Sequence, residues 1–283
     1  MTQPLSPDTL LQDLPFVAFD TETTGLDAAF HRVVEIGAVQ FRPGSEAVTT
    51  FATLVDPGRP MPPEVIPIHG ITDRMVEGAP SAGEALRQFY DFCPPNAILL
   101  AHNAPFDLSF LGCESDKTGT EPIGNPILDT VELARQAFVG MPSYSLETLA
   151  RLLKVAPSQD HRALADAVLV RGLFLECLGR FGQITTFGQL AEKFRLYRIE
   201  EFSPRAKSIP EPMAALGVAV DQKLRVEIVY ASMGGSVERR VIRPYLVHTR
   251  QAMLYVSAFC EKANADRTFR LDRIREIRLL TDQ

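Results

Sequence analysis

A short apolar run that ends in two acids limits the possible folds of this chain more than any other segment. The β-prone residues Phe16–Phe19 lead directly into Asp20, one spacer and Glu22, and Gly25 closes the run. This pattern predicts a buried strand with two carboxylates at its C-terminal end. Open α/β sheets bind ligands just beyond the carboxyl ends of their strands, so these acids are placed to hold a metal or to act on a substrate. The alternative is that they only cap the turn after the strand. Further site residues elsewhere in the chain are needed to distinguish the two interpretations.

The segments that follow predict an α/β fold with a mixed sheet. Strands are expected over Arg32–Phe41 and Ala47–Val55, joined by a hairpin turn, and over the apolar segment Ala97–Ala101. Ser81 and the apolar spacing behind it predict a capped amphipathic helix over Ala82–Phe92. Three more helices are expected at 130–139, 145–154 and about 162–180. This order of elements is typical of a mixed sheet flanked by helices.

Three acids and one histidine later in the chain supply partners for the first two acids. Asp107 opens the helix after the fourth strand, so it also lies at a carboxyl edge of the sheet, and Asp129 is expected to close a further short strand. His161 and Asp166 are five residues apart, which is about 500° of rotation on an α-helix, so they cannot share one helical face. His161 is therefore expected on the loop before the helix, with Asp166 inside it.

The converging acids predict a metal site. Asp20, Glu22, Asp107 and Asp166 form a four-carboxylate set, which would repel and raise its own pKa values unless cations lie between the acids. Oxygen ligands of this kind suit Mg²⁺ or Mn²⁺. Two such ions can activate a water and stabilise the leaving oxygen of a phosphodiester. An imidazole is a suitable base near neutrality, and His161 lies beside the set.

Three motifs, in this order along the chain, resemble those of the DEDDh exonuclease family, to which the proofreading epsilon subunit of bacterial DNA polymerase III belongs. They are Asp20-Thr-Glu-Thr-Thr-Gly25, His102-Asn-Ala-Pro-Phe-Asp107 and His161-Arg-Ala-Leu-Ala-Asp166, and the resemblance extends over Phe16–Gly179. It implies a ribonuclease H-like fold and 3′→5′ exonuclease chemistry with two divalent cations, Mg²⁺ or Mn²⁺. It also implies that the four acids are metal ligands and that His161 is the general base.

The same resemblance implies a pocket for the terminal nucleotide. The substrate-binding residues that it implies are Thr21, Thr23, Glu64, His69, Asn103 and Phe106. Glu64 and His69 belong to a segment that contacts the terminal nucleotide in the family, although a single histidine is more often a capping or core residue. Asp129 is expected to brace the helix that follows it.

The balance of charge changes near residue 190. Residues 1–189 carry 12 Lys and Arg against 23 Asp and Glu, a net of −11, whereas 190–283 carry 17 against 12, a net of +5. A basic part suits an anionic partner, although a solvated mixed-charge surface explains +5 almost as well. We expect an exonuclease domain over 14–182, a helix and linker over 183–212, with the helix at Gln189–Arg198, and a second domain over 213–283.

The last region predicts a small β-module. A short helix is expected over Ala214–Lys223. It is followed by strands over Leu224–Tyr230, Val237–Pro244, Met253–Cys260 and Arg267–Arg273, with a hairpin turn at 233–236. Several short strands in series are typical of a barrel-like or sandwich module.

Three segments of this module resemble the WYL domain, an Sm-like β-barrel. They are Glu238–Tyr245, Leu254–Cys260 and Arg267–Ile274, although the Trp-Tyr-Leu signature is replaced by Leu-Tyr-Val and the chain has no Trp. The resemblance implies a domain that senses nucleic acid or a nucleotide and regulates an attached effector. The candidates for its ligand site are Arg240, Tyr255, Arg270 and Arg273, because guanidinium groups bind phosphate and an aromatic face stacks on bases. The alternative is that these residues form salt bridges inside the domain or to the exonuclease domain.

Together these patterns predict a metal-dependent 3′→5′ exonuclease that acts on single-stranded or frayed DNA and carries a nucleic-acid-sensing tail. RNA or short oligoribonucleotides are an alternative substrate, because no residue is identified that would read a 2′-hydroxyl. A regulatory nucleic-acid-binding protein with a latent nuclease site and a proofreading subunit held by a polymerase are further alternatives. No apolar run reaches the ~18 residues of a membrane span and no signal peptide is recognisable, so a cytoplasmic location is expected. The oligomeric state does not follow from the sequence.

Overall fold

A computed structural model describes residues 5–154, 161–205, 208–232, 236–250 and 253–280 of the chain. The chain forms two compact units, the first made of Met1–Leu26 and His31–Phe202 and the second of Asp27–Phe30 and Ser203–Gln283. The hairpin turn predicted at 233–236 falls for the most part outside the described residues. Within the described ranges, none of the helices is long and apolar enough to cross a membrane.

In the described part of the chain, the first unit is built on a five-stranded mixed sheet, which confirms the predicted fold class. The strands are β1 (Phe16–Thr23), β2 (Val33–Phe41), β3 (Val48–Leu54), β4 (Ile98–Ala101) and β5 (Ile127–Asp129). Their order is β3-β2-β1-β4-β5, with β1, β4 and β5 parallel and with antiparallel pairs between β1 and β2 and between β2 and β3. The central strand β1 is fully buried over its first four residues, so its two acids emerge in the middle of the sheet.

Helices cover this sheet. They are α1 (Ile66–His69), α2 (Asp73–Val76), α3 (Ala82–Phe92), α4 (Ala104–Thr118), α5 (Thr130–Ala137), α6 (Leu146–Leu152), α7 (Ala163–Arg180) and α8 (Phe187–Lys193). Four of them, α3, α5, α6 and α7, begin and end close to the predicted bounds. The predicted cap of α3 is present, because the backbone N–H of Ser81 donates to Glu84 Oε2 at 2.9 Å and forms one arm of a capping box.

The helix predicted at Gln189–Arg198 is shifted, and α8 takes its place. It begins earlier because Thr186 caps it, with its side chain accepting from the backbone N–H of Gln189. It ends earlier because the chain beyond Lys193 becomes extended and Tyr197 forms a β-bridge with Ile127. The backbone hydrogen bonds of this bridge are 3.0 and 2.9 Å long. The edge of β5 therefore determines where α8 stops.

The long helix α7 packs across β1 and β2 and brings Asp166 to the sheet. The rings of Phe174 in α7 and Phe16 in β1 lie 4.8 Å apart at the centre of the core. Where the helix begins, its backbone touches the sheet directly. A Cβ atom built on Gly37 of β2 would lie only 2.1 Å from the backbone nitrogen of Leu164. Glycine at position 37 thus sets the distance between β2 and the first turn of α7.

We expect Gly37→Ala to lower the free energy of unfolding by about 3 kcal/mol, at the upper end of the range for overpacked cores. The reason is that backbone atoms of Ala163 and Leu164, rather than a flexible side chain, occupy the position of the new methyl group. Urea unfolding measures the effect. Gly179→Ala in α7, the helix that contacts Gly37, is the matched control, because a methyl group at position 179 meets nothing within 4 Å. A loss below about 0.5 kcal/mol for Gly37→Ala would contradict the close contact.

The second unit contains helix α9 (Ala214–Asp221) and, among the residues described, a five-stranded antiparallel sheet. Its strands are β6 (Arg225–Ala231), β7 (Val237–Arg250), β8 (Met253–Cys260), β9 (Ala265–Arg270) and β10 (Ile274–Leu280), in the order β10-β6-β7-β8-β9. One sheet face packs with α9 around a core that includes Leu216, Ile242 and Val256. The sheet fits the predicted β-module.

Two strands of this sheet differ from the predicted ones. The predicted strand Val237–Pro244 continues to Arg250, because a register shift between Pro244 and Leu246 absorbs the proline in the β7–β8 ladder. The predicted strand Arg267–Arg273 is interrupted by a 3₁₀ turn at Leu271–Arg273. The chain then pairs with β6 as the unpredicted strand β10.

Candidate active site

Three acids from two elements come together at the carboxyl end of β1. Asp20 and Glu22 are two residues apart on the strand, so their side chains leave the same side of the sheet. Asp166 enters from the first turn of α7. One carboxylate oxygen from each of these acids lies within 4.8 Å of the other two. The structure therefore brings together three of the four acids that the sequence predicts as metal ligands.

The fourth acid, Asp107, lies next to this group but is held by β1. Its Oδ1 accepts a hydrogen bond from the backbone N–H of Thr21 at 3.1 Å and another from Thr21 Oγ1 at 2.7 Å. Asp107 is buried in the first turn of α4, and its charge acts strongly on Asp20. Thr21 thus orients Asp107 beside the other three acids.

Burial and mutual repulsion raise the pKa values of three of these carboxyls. The pKa of Asp20 is raised well above its ordinary range, chiefly by burial and then by the charges of Asp107 and Asp166. Burial and the charge of Asp166 raise the pKa of Glu22 to about 8. Burial raises the pKa of Asp107 to about 7, although its hydrogen bonds from Thr21 oppose the shift. A set of carboxyls that resists ionisation on its own is well suited to bind cations.

These shifts predict an inverse dependence of stability on pH in the absence of metal. Because the pKa values of Asp107 and Glu22 are raised to about 7 and about 8, the folded chain binds more protons than the unfolded chain between about pH 4 and pH 8. The contribution of Asp107 and Glu22 to the free energy of unfolding is therefore most favourable below about pH 4. It is lost as the pH rises through 7 and 8. In a chelator, we expect the melting temperature to fall between about pH 5.5 and pH 8.5.

Divalent cations are expected to reverse this trend. Addition of Mg²⁺ or Mn²⁺ should raise the melting temperature more at about pH 8.5 than at about pH 5.5, because cations compete with protons for the same oxygens. Asp20→Asn is the matched variant and should reduce both the pH slope and the response to metal. Equal melting temperatures at both pH values, with no response to metal, would contradict this account of the cluster.

His161 lies where the sequence predicts it, on the loop that leads into α7. Its side chain is exposed and its backbone is left-handed, with φ of 48°. The next residue, Arg162, is tied to β2, since Arg162 Nη2 lies 2.5 Å from Glu35 Oε1 and Arg162 Nε lies 3.0 Å from Glu35 Oε2. Glu35 Oε2 also accepts from the backbone N–H of Ala163 at 2.9 Å. The attachment point of His161 is therefore fixed to the sheet.

Sequence reasoning missed the ion pair between Glu35 and Arg162. Glu35 is buried and lies directly opposite Glu22 in the β1–β2 ladder. The signal was present in the sequence, because an acid in the middle of the apolar run Val33–Ile36 requires a partner once that run is buried. The sequence did not indicate which cation would be that partner.

Three of the predicted nucleotide-binding residues, Thr23, His69 and Glu64, have different surroundings. Thr23 is buried, and its hydroxyl donates to the carbonyl of Gly25 at 2.7 Å. His69 is also buried at the end of α1, and its Nδ1 accepts from the backbone N–H of Ile71 at 2.9 Å. Its buried Nε2 has no hydrogen-bond partner among the described residues, and burial lowers the pKa of the ring. Glu64 is exposed just before α1.

Asn103 and Phe106 lie at the start of α4, beside Asp107. Asn103 has a left-handed backbone with φ of 63°, and its N–H donates to Asp129 Oδ1 at 2.9 Å. The same Oδ1 of Asp129 accepts from the backbone N–H of Val131 at 2.9 Å and so caps α5. Asp129 thus braces the helix that follows it. The ring of Phe106 is half-buried and lies 5.1 Å from the ring of Phe110.

In the second unit, two of the four predicted ligand residues are adjacent and one lies apart. Tyr255 of β8 pairs directly with Arg270 of β9, and Arg273 follows in the 3₁₀ turn. Arg240 lies near the other end of β8, where its guanidinium contacts Cys260 Sγ at 3.7 Å and forms an ion pair with Glu238. The four residues therefore do not line one pocket.

The two adjacent residues of this set already have partners within the unit. Arg270 forms an ion pair with Asp272 at 2.6 Å. The ring of Tyr255 stacks on that of His248 at 5.7 Å. Arg240 and Arg270 thus both form salt bridges within the unit, as the alternative interpretation of the sequence expects.

The mixed sheet and its acidic cluster define the first unit as an α/β protein of the ribonuclease H-like class with oxygen ligands for divalent cations. Comparison with known families then identifies the chain more closely. Residues 17–174 match the family described as Exonuclease, and residues 212–279 match the WYL domain. The chain belongs to the Exonuclease family and carries a WYL domain.

Individual relatives agree with this assignment. The chain is 40% identical over 194 residues to a DNA polymerase III subunit epsilon-like protein of Rhodobacter capsulatus, covering 66% of this chain and 27% of the relative. It is 36% identical over 169 residues to the PolC-type DNA polymerase III of Bacillus cereus, covering 60% of this chain and 12% of that protein. The chain thus spans only a minor part of these relatives.

A solved structure supports the fold. Exonuclease I, whose structure suggests how processivity is achieved, matches 87% of this chain and 55% of its own with a TM-score of 0.55 and 17% identity. The predicted family resemblances and the predicted fold class are confirmed. Metal dependence is a property of the Exonuclease family, and the cluster of Asp20, Glu22 and Asp166 is where a metal can bind in this chain.

Proposed function

We propose that this protein is a 3′→5′ exonuclease that removes nucleotides from the 3′ end of single-stranded or frayed DNA. The observation that carries the proposal is the convergence of Asp20, Glu22 and Asp166 within 4.8 Å, with Asp107 oriented beside them by Thr21. The relatives named DNA polymerase III support DNA as the substrate. RNA is the alternative that the experiment below distinguishes.

Asp20, Glu22, Asp107 and Asp166 would hold two divalent cations, Mg²⁺ or Mn²⁺. The donor set fits such ions, because it consists of carboxylate oxygens and because the pKa values of Asp20, Glu22 and Asp107 are raised, as expected for acids that lie close together without a cation. When bound, the cations supply Lewis-acid stabilisation of the attacking and leaving oxygens. The four acids that would hold the cations lie at the carboxyl end of β1 and in the first turns of α4 and α7.

His161 would act as the general base. It accepts a proton from the water that attacks the terminal phosphodiester, and the bond between phosphorus and the 3′ oxygen of the preceding nucleotide breaks. The products are a nucleoside 5′-monophosphate and a strand shortened by one residue with a free 3′-hydroxyl. The side chain of His161 is exposed, which would leave room for the water and the terminal nucleotide.

The terminal nucleotide would lie between α1 and the start of α4. The buried Nε2 of His69, which has no partner among the described residues, is available to a hydroxyl or phosphate oxygen of this nucleotide. Thr21, Thr23, Asn103 and Phe106 complete the pocket, and Glu64 lies at its exposed rim.

The WYL domain would hold nucleic acid near Tyr255, Arg270 and Arg273. Support comes from the cross-strand pair of Tyr255 and Arg270, an aromatic face next to a guanidinium. Arg240 is left out of this proposal because its ion pair with Glu238 lies near the other end of β8. Binding of labelled single-stranded DNA to the Asp20→Ala chain, with and without Arg270→Gln and Arg273→Gln, tests it. Unchanged binding in the triple variant would count against this role.

Degradation of a 5′-labelled single strand tests the enzymatic proposal. We expect a ladder of products that shortens from the 3′ end in Mg²⁺ or Mn²⁺ and is lost in a chelator. The DNA strand should be degraded faster than an RNA strand of the same sequence. Faster degradation of RNA would make the protein an exoribonuclease. A fragment pattern without stepwise shortening, or activity that survives chelation, would contradict the proposed chemistry.

A further inference from the structure

A second pocket opens beside the acidic cluster, on the side of α5. This cavity of about 530 Å³ is lined by Asp20 and by residues that follow β4 and β5. Its lining includes His102, Asn103, Arg135 and Tyr144. Because β4 and β5 are parallel to β1, their carboxyl ends lie at the same edge of the sheet as the acids. The cavity is thus a continuation of the proposed active site rather than a separate hollow.

The walls of this cavity are held in place by hydrogen bonds. His102 Nδ1 lies 3.0 Å from Thr130 Oγ1, and its Nε2 lies 2.9 Å from the carbonyl oxygen of Tyr144. Burial lowers the pKa of His102 to about 4, so this ring is neutral near pH 7. The hydroxyl of Tyr144 donates to the carbonyl of Phe138 at 2.8 Å. The loop between α5 and α6 is therefore fixed to the end of β4.

One exposed cation, Arg135, lies in the wall of this cavity, whose lining also includes the acid Asp20. The guanidinium of Arg135 is 4.8 Å from the centre of the Tyr144 ring, which holds it over the cavity. Arg135 has no carboxylate partner among the residues that the structure describes. Glu132, one turn earlier on α5, accepts a hydrogen bond from the hydroxyl of Tyr197 at 2.6 Å instead. The guanidinium is thus available to an anion that enters the cavity.

We propose that this cavity binds the nucleotide that precedes the scissile bond and that Arg135 contacts its 5′-phosphate. The inference rests on the proposed exonuclease function, in which the terminal phosphodiester lies at the acids and the rest of the strand must leave along the sheet edge. Arg135 lies in the cavity that adjoins the acids at this edge. Its positive charge is therefore placed to bind the next phosphate of the strand. A planar guanidinium that is already stacked on Tyr144 loses little freedom when it binds this phosphate.

Two substrates that differ in the upstream phosphate test the proposal. The p-nitrophenyl ester of thymidine 5′-monophosphate reaches only the acids, whereas a ten-residue thymidine oligonucleotide also fills the cavity. For Arg135→Gln we expect KM for the oligonucleotide to rise about three- to tenfold, with little change in kcat or in hydrolysis of the ester. The slope of log KM against log salt should fall by about 0.7, as expected for one lost phosphate contact on a single strand.

Arg87→Gln is the matched control, because Arg87 is an exposed arginine on α3 and does not line the cavity. Arg135→Lys should keep the salt dependence and recover part of the affinity, since charge is retained without the planar fork. Equal losses on ester and oligonucleotide would mean that Arg135 is only structural and would overturn the proposal, as would an unchanged KM and salt slope.

A binding measurement separates this inference from the function on which it rests. If the wild-type chain hydrolyses neither substrate, the proposed exonuclease function fails. Binding of the oligonucleotide to Asp20→Ala, with and without Arg135→Gln, then tests the cavity directly. A salt-dependent loss of affinity supports the phosphate contact, and equal affinities overturn it.

Discussion

Replacement of Asp20 by Ala is expected to reduce exonuclease activity by at least about 10³-fold, equivalent to about 4 kcal/mol of lost transition-state stabilisation. The reason is geometric as well as electrostatic. Asp20 lies on the central strand, within 4.8 Å of both Glu22 and Asp166, and also lines the neighbouring cavity. Removal of its carboxylate takes away one of the three oxygens that lie close enough together to hold a cation.

Two comparisons make this experiment specific. Asp91→Ala removes an exposed acid from α3 and should retain full activity. Asp20→Asn keeps the shape of the side chain and removes its charge, so a similar loss in this variant identifies the charge as the essential property. The melting temperature of each variant in a chelator shows whether the chain remains folded. A folded Asp20→Ala protein that retains a tenth of the activity would rule out Asp20 as a metal ligand.

His161→Ala is expected to lower kcat by about 10²–10⁴-fold while leaving divalent-cation binding nearly unchanged. His161 is exposed on the loop before α7 and does not belong to the three-acid cluster, so its loss removes a proton acceptor and no metal ligand. Single-turnover degradation of the labelled strand measures the rate, and titration with Mn²⁺ measures cation affinity. His161→Gln should be as slow as His161→Ala, because an amide cannot take the proton.

The pH profile distinguishes this chemical role from a positional one. We expect the rate to depend less on pH in His161→Ala than in the wild-type chain. Arg162→Gln releases the loop from Glu35 without removing the imidazole. It should lower the rate but keep the shape of the profile. Loss of cation affinity together with the rate in His161→Ala would contradict the proposed division of roles.

Local patterns in the sequence were sufficient to predict the main elements that carry the site. The apolar run before Asp20 predicted a buried strand, and the five-residue spacing from His161 to Asp166 predicted a loop followed by a helix. Both inferences need only the geometry of a single element. For the same reason α5, α6 and α7 were predicted with bounds that differ only slightly from the observed ones.

Contacts between distant segments were beyond this reasoning. Thr21 orients Asp107, which is 86 residues away in the sequence, and Glu35 binds Arg162, which is 127 residues away. No local spacing indicates either partner. Strand β10 was missed because its two exposed arginines and its exposed Glu276 obscure the apolar alternation of an edge strand. Helix α8 ended early because Tyr197 found a partner on β5. In each case tertiary pairing overrode the local preference.

The ion pair between Glu35 and Arg162 has a consequence for the net charge that a substrate meets. In the proposed state, the four positive charges of two divalent cations balance the four negative charges of Asp20, Glu22, Asp107 and Asp166. Glu35, directly across the ladder from Glu22, would tip this balance toward the negative if it were unpaired. Arg162 cancels that fifth charge locally. An incoming phosphodiester therefore approaches an electrically neutral centre, where its own anionic charge is not repelled.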